Sequence, residues 1–253
     1  MRPQEAPPLL TTPTEKKEIL AESGLDAAVF LRFTTLLASY PPERFVQEIL
    51  VERLGVEELV IGYDHGFGRG RSGDAETLRR LGARSGFDVD VVPPVAAGVN
   101  PVSSSRIRRL VAAGETQAAA AVLGRPYSIR GLVVKGDGRG KDLGFPTANL
   151  AGIASEKLLP AAGVYAVWGV TRRGTYPGAM HLGPRPTFQG SPPSVELHLI
   201  DFEGDLYGEP LEIEVHSRLR DQSRFDSSEK LAAQIADDID RIRTTVASNH
   251  SSH

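Results

Sequence analysis

The stretch Gly136-Asp137-Gly138-Arg139-Gly140-Lys141-Asp142-Leu143-Gly144-Phe145-Pro146-Thr147-Ala148-Asn149 concentrates the residue types that handle phosphate. Glycines let backbone N–H groups come close to an anion. Arg139 and Lys141 add charge that complements phosphate. Behind them, Thr147 and Asn149 offer neutral oxygens, which suit a Mg²⁺ ion already carrying nucleotide phosphates and water. In an extended segment these two side chains share a face, because side chains alternate with a period of two. One short stretch can thus cradle phosphates through Gly136, Gly138, Arg139, Gly140, Lys141 and Pro146 and hold their metal through Thr147 and Asn149. It is not a standard phosphate motif. A P-loop needs Ser or Thr where Asp142 stands, and a dinucleotide fingerprint needs Gly where Lys141 stands. Glycine-rich turns with a cation are also common punctuation.

Two stretches in the first half carry similar chemistry. Gly62 to Gly73, with Tyr63, His65, Arg69 and Arg71, follows an apolar run that reads as a strand. Open α/β sheets bind ligands outside the carboxyl ends of their strands. Further on, Ser103, Ser104 and Ser105 precede Ile107 and flank Arg106, Arg108 and Arg109. Serines there cap a helix, and a helix N-terminus beside arginines attracts phosphate.

The elements that must position these residues change character along the chain. Met1 to Thr14 reads as a loose, proline-rich lead, and Thr14 caps a short helix that Gly24 ends. Asp26–Phe33 reads as a buried strand, Pro41 to Leu54 as a helix, and Leu59–Gly62 as a strand. Ala75–Ser85 reads as a helix and Phe87–Val92 as a strand. Strands alternating with helices imply a parallel α/β sheet. An Ala-rich helical stretch, Ala112 to Gly124, closes this half. From Tyr127 the pattern turns to strands, at Ile129–Lys135, Gly163–Thr171, Gly178–Leu182, Ser194–Phe202 and Leu211–Leu219. Several antiparallel strands in a small domain predict a closed barrel. Along Val195 to Asp201, Glu196, His198 and Ile200 share one face, and Leu197 and Leu199 the other. A final helix covers Ser227 to Val246, with Asp226 and Glu229 as a capping box and an apolar stripe of Leu231, Ile235, Ile239, Ile242 and Val246.

The run Gly140 to Asn149, with its Gly-Phe-Pro-Thr-Ala-Asn core, resembles the signature of riboflavin kinases, in particular the kinase half of the bacterial bifunctional riboflavin kinase/FAD synthetase family. Matching stretches follow in family order: Leu159-Pro160, Gly163 to Ala166, Gly183 to Phe188, Glu196 to Phe202 and Asp205 to Gly208. The resemblance implies a six-stranded Greek-key barrel with a C-terminal helix, using ATP, Mg²⁺ and riboflavin to make FMN. It makes Glu196 the catalytic base and Arg220 a flap residue at the flavin; Tyr207 is a second flavin candidate that could pack on the ligand or in the core. His181 stands where the family usually has Asn. Ser103 to Arg108, including Ser103, Ser104, Ser105 and Arg108, resembles the family's nucleotidyltransferase phosphate motif, and Tyr63 to Gly73 its flavin-side loop. The family's opening Gly-Asn-Phe-Asp-Gly-x-His-x-Gly-His stretch is missing from the sequence.

These matches predict an incomplete, Rossmann-like nucleotidyltransferase domain over 1–123 and a riboflavin kinase domain over 124–253. Adenylylation of FMN to FAD is expected to be impaired, and a sheet short of a strand is expected to expose apolar surface. Two alternatives stay open: a complete bifunctional enzyme with a mis-set start, or a non-catalytic flavin or nucleotide binder. The net charge of −3 and the lack of a basic block exclude a general nucleic-acid binder. The absence of cysteine excludes disulfides, thiolate metal sites and a cysteine nucleophile. No apolar run approaches membrane-spanning length, and no signal-peptide core precedes Pro13. The expected partners are small molecules in the cytoplasm, with the oligomeric state left open.

Overall fold

The structure is a computed structural model and describes residues 6–97, 100–136, 140, 143–183 and 193–249. They group into two compact units. One holds Lys17–Val102, the other Pro7–Lys16 with the chain from Ser103 on.

The first helix is α1 (Pro13–Glu22). Its cap is Thr12 rather than Thr14. Glu15 N donates to Thr12 Oγ1 at 3.2 Å, and Thr12 N donates back to the Glu15 carboxylate at 2.7 Å. This reciprocal box, with Pro13 at the first helical position, outcompetes a single threonine cap. Then come α2 (Thr35–Ala38), α3 (Pro42–Phe45), which runs into a π-type turn at Val46–Val51, and β1 (Glu58–Gly62). A crossover through α4 (Ala75–Ser85) leads to β2 (Asp88–Val92), parallel to β1 and paired from Glu58–Asp88 to Gly62–Val92. Asp74 caps α4 by accepting from Thr77 N, and Gly86 ends it in the left-handed region. A two-residue ladder follows, β3 (Ala96–Ala97) with β4 (Asn100–Pro101). Val46, Leu50, Ile61, Phe67, Leu78, Leu81 and Phe87 form the core.

The expected strand at Asp26–Phe33 does not form. That segment joins no sheet among the described residues, and Val29, Phe30, Leu31 and Phe33 are exposed. Apolar composition predicts burial only where a second element covers it. Val60 and Val92 of the two-stranded sheet are exposed as well, which is the apolar surface expected of this half.

In the second unit, α5 (Ser104–Ala113) and α6 (Thr116–Leu123) precede β5 (Tyr127–Val134), β6 (Ala148–Ala151), β7 (Gly163–Thr171), β8 (Gly174–Gly183), β9 (Ser194–Leu199), β10 (Pro210–Arg220) and α7 (Ser228–Asn249). The six strands close a barrel in the order β10-β5-β6-β9-β8-β7 with every pairing antiparallel. The β7-β8-β9 meander lies beside β6, the Greek-key arrangement. The sequence pattern contained five of these strands. The sixth, β6, is the segment that carries Asn149.

Ile129, Val133, Leu150, Tyr165, Val167, Met180, Leu197, Ile213 and Val215 fill the barrel. The opposite parity puts Ala166, Trp168 and Ala179 outside, where Ile235, Ile239 and Ile242 of α7 cover them along with Ile200. The apolar stripe of the last helix is therefore barrel packing, with Val246 outside the residues whose side chains are described. Ser227 caps α7, its Oγ accepting from Lys230 N at 3.3 Å, while the Asp226 carboxylate pairs with the Lys230 ammonium at 3.4 Å.

Residues 7–12 are not a loose lead. Leu9 N donates to Glu156 O and Leu9 O accepts from Leu158 N. The buried Lys157 ammonium donates to Leu10 O at 2.9 Å and to the buried Glu15 carboxylate at 2.7 Å.

Candidate functional site

The site is built on one row of paired residues that crosses the barrel. Val134 on β5 faces Asn149 on β6, which faces Glu196 on β9 and in turn His181 on β8. The row continues through Val164 on β7 to Arg220 on β10. Cross-strand partners project from the same face. Leu150, Leu197 and Met180, one position along, point inward, so Asn149, Glu196 and His181 point out of the barrel. The ladder therefore brings together a predicted metal ligand and the predicted base, which lie far apart in sequence.

The glycine-rich stretch leaves β5 at the Asn149 end of the row. A Cβ on Gly136 would collide with the Asn149 amide, and one on Gly140 would meet the Phe145 carbonyl and stand 3.2 Å from Thr147 Oγ1. Both glycines thus make room for the two side chains expected at the metal. Gly138, Arg139 and Lys141 lie outside the described residues, as does the stretch from Pro184 to Phe188. Phe145 N donates to Gly140 O at 2.8 Å and closes the turn, and Pro146 O accepts from His198 Nδ1 at 2.9 Å. Phe145 and His198 meet edge to face at 5.7 Å.

Beside this turn lies a cavity of about 310 Å³, walled by Phe145, His198 and Ile200 on one side and Ile239 and Arg243 of α7 on the other. Arg243 pairs across it with Asp201 at 2.7 Å. Asp201 holds the turn after β9 with a φ of 59°, a conformation that Asp tolerates better than most residues. Sequence reading missed this wall. His198 shares the parity of Glu196, a legible signal, but nothing local joins Asp201 to Arg243.

At the far end of the row, the Arg220 guanidinium makes a bidentate pair with Asp238, buried on α7, with distances of 2.8 to 3.2 Å. Gln234 donates to the same carboxylate. Tyr207 occupies the other end of β10. It is exposed in the turn where Gly208 N donates to Val133 O, and the Lys135 ammonium lies 5.9 Å from its ring. The two residues expected at the flavin are thus separated by the length of β10. Tyr207 stands where the glycine-rich stretch begins and Arg220 stands beyond His181.

Burial, the largest influence, lowers the His181 pKa, aided by Arg220 and opposed by Glu196. Among the described residues no group of three His, Asp or Glu side chains is placed to hold a metal. The donor set at Thr147 and Asn149 is neutral oxygen. It fits a hard divalent cation such as Mg²⁺ as a partial shell completed by phosphate and water, and it does not fit a soft metal that seeks thiolate or imidazole.

The serine-rich candidate resolves into a capped helix. Ser103 Oγ accepts from Arg106 N at 3.3 Å, and Arg108 donates through Nε to Pro8 O at 2.7 Å. Ser104 and Ser105 are exposed in the first turn of α5. In the loop after β1, Phe67 is core and stacks with His65, while Arg71 donates to Asp64 O.

Two family models match successive parts of the chain. A FAD synthetase model matches residues 1–106, and a flavokinase model, described as riboflavin kinase, matches 123–246. The bifunctional riboflavin kinase/FMN adenylyltransferase of Escherichia coli is 37% identical over 92% of this chain and 74% of its own length. The Bacillus subtilis protein of the same name is 32% identical over 94% and 75%. A crystal structure of a Streptococcus pneumoniae protein, named there as a macrolide-efflux protein, matches with a TM-score of 0.85 at 32% identity, over 92% of this chain and 75% of that one. The chain belongs to the bacterial bifunctional riboflavin kinase/FMN adenylyltransferase family. Among its described residues no helix is long and apolar enough to cross a membrane.

Proposed function

We propose that this protein is an ATP- and Mg²⁺-dependent riboflavin kinase that makes FMN. The observation that carries the reading is the pairing of Asn149 with Glu196 on adjacent outward-facing strands. The riboflavin 5′-hydroxyl oxygen bonds to the γ-phosphorus of ATP, and the bond from that phosphorus to the ADP oxygen breaks. Glu196 takes the hydroxyl proton. Bound Mg²⁺ would neutralise phosphate charge. Thr147 and Asn149 would hold it in place, and Gly136 to Lys141 with Pro146 would contribute the phosphate site. Tyr207 belongs to the nucleotide end, and Arg220, fixed by Asp238, to the flavin end. The kinase domain is 124–253 and the nucleotidyltransferase-like domain is 1–123. In this reading FMN is the product, and its adenylylation to FAD is impaired.

A second reading, a working bifunctional enzyme, draws support from the FAD synthetase match over 1–106. One product assay separates the two. Purified protein with riboflavin, ATP and Mg²⁺ is expected to yield FMN without FAD on chromatography. FAD appearing after FMN would establish the second reading. Neither product from folded protein would sink both.

A further inference from the structure

Residues 221–225 join β10 to α7 and are held by contacts on the pairing row and beside it. Arg220 donates through Nη1 to Asp221 O at 3.2 Å, and Arg218 pairs with the Asp221 carboxylate at 2.7 Å. Phe225 stands 5.8 Å from the Arg220 guanidinium. Gln222 reaches furthest. Its Nε2 donates to Leu182 O at 3.1 Å and lies 2.7 Å from His181 Nε2. A Cβ on Gly183 would collide with this amide, so the glycine leaves it a seat.

The carbonyl of Leu182 can only accept, which fixes the end of the Gln222 amide that faces β8. The second N–H of the same nitrogen then meets His181 Nε2. That nitrogen must accept, so the imidazole is neutral with its proton on Nδ1. We propose that His181 is a positioning residue for phosphoryl transfer, holding residues 221–225 beside Glu196 through the Gln222 amide. The catalytic half of this statement rests on the kinase reading; the clasp does not.

Among the described residues, the charged groups around His181 are Glu196 on β9 and Arg220 on β10. β7 contributes the apolar Val164, and Asp238 on α7 is engaged by Arg220. Burial outweighs Glu196 and disfavours the imidazolium. The sign follows: a folded-state pKa below the unfolded one makes the neutral form a source of stability at high pH, lost as pH falls through the ordinary histidine range and below. A protonated Nε2 would present a donor to a donor, and the clasp would open.

The test is amide hydrogen exchange on ligand-free protein, read as protection factors for residues 221–225 at about pH 8 and about pH 5. Wild-type protein is expected to lose about fivefold to tenfold of its protection at the lower pH, the worth of roughly one hydrogen bond. His181→Ala and Gln222→Ala should each lose it at both pH values, and the double variant should lose no more. His181→Asn keeps an acceptor and cannot titrate, so it should stay protected throughout. In kinase assays His181→Ala should raise the riboflavin KM about tenfold with little change in kcat, and His181→Asn should restore it. Additive losses, or wild-type protection that ignores pH, would overturn the clasp even with normal turnover. A wild-type protein without turnover would overturn the kinase reading whatever the exchange shows.

Discussion

At the scale of single residues, the barrel makes the proposed chemistry depend on very few atoms. Glu196 has one outward neighbour on each side, Asn149 and His181. Glu196→Ala should cut kcat about 10²- to 10⁴-fold, the usual range for a lost general base, while riboflavin still binds. Stopped-flow flavin fluorescence beside steady-state rates would check it, and unchanged turnover would refute the assignment. Gly136→Ala would push a methyl group into the Asn149 amide. It should raise the KM for Mg·ATP about tenfold and leave that for riboflavin alone. Equal shifts in both would remove Gly136 from the nucleotide end. The shared face of Asn149 and Glu196 was legible in the sequence, because a period of two fixes side-chain direction locally. Gln222, Asp238 and Arg243 were not. Their partners lie 41, 18 and 42 positions away, and only the closed barrel with α7 laid over it brings them together.

At the scale of elements, the clearest correction concerns the N-terminal segment. Its proline content reads as a loose lead, yet Thr12-Pro13-Thr14-Glu15 is also a capping box with proline at the first helical position. Glu15 serves two masters, the Thr12 N–H and the Lys157 ammonium. Lys157 lies 4.6 Å from the Tyr127 ring, whose hydroxyl donates to Leu158 O. Burial, its largest influence, lowers the Lys157 pKa, and Glu15 opposes the shift. Glu15→Ala leaves a buried ammonium unpaired and should cost about 3 kcal/mol in urea unfolding. A Glu15→Ala, Lys157→Met pair should recover most of that loss. A double variant as weak as the single one would show that packing rather than charge holds the strap. Five of the six barrel strands and the last helix show their periods in the sequence, whereas β6, at four residues, does not. The strand expected at Asp26–Phe33 was misread because periodicity reports an apolar face and not the presence of a neighbour.

For the whole molecule, two cores imply two responses to damage. Leu78 is fully buried in the cluster around Phe67 and Phe87, and Ile242 in the layer between α7 and the barrel. Each change to Ala should cost about 2–5 kcal/mol. In differential scanning calorimetry, Leu78→Ala should move one transition and Ile242→Ala the other. A single transition that both variants shift alike would show that the units melt together. The row from Asn149 to Arg220 has a consequence for biosynthesis. Outward Glu196 alternates with inward Leu197, so a strand that slips by one position while the barrel closes would drive a carboxylate into the core and push a leucine out. Such a chain would not persist as folded but inactive enzyme. It would fail to close and go to the proteases. Folding thus proofreads the proposed site, and the population that survives is the one in which Asn149, Glu196 and His181 already share a face.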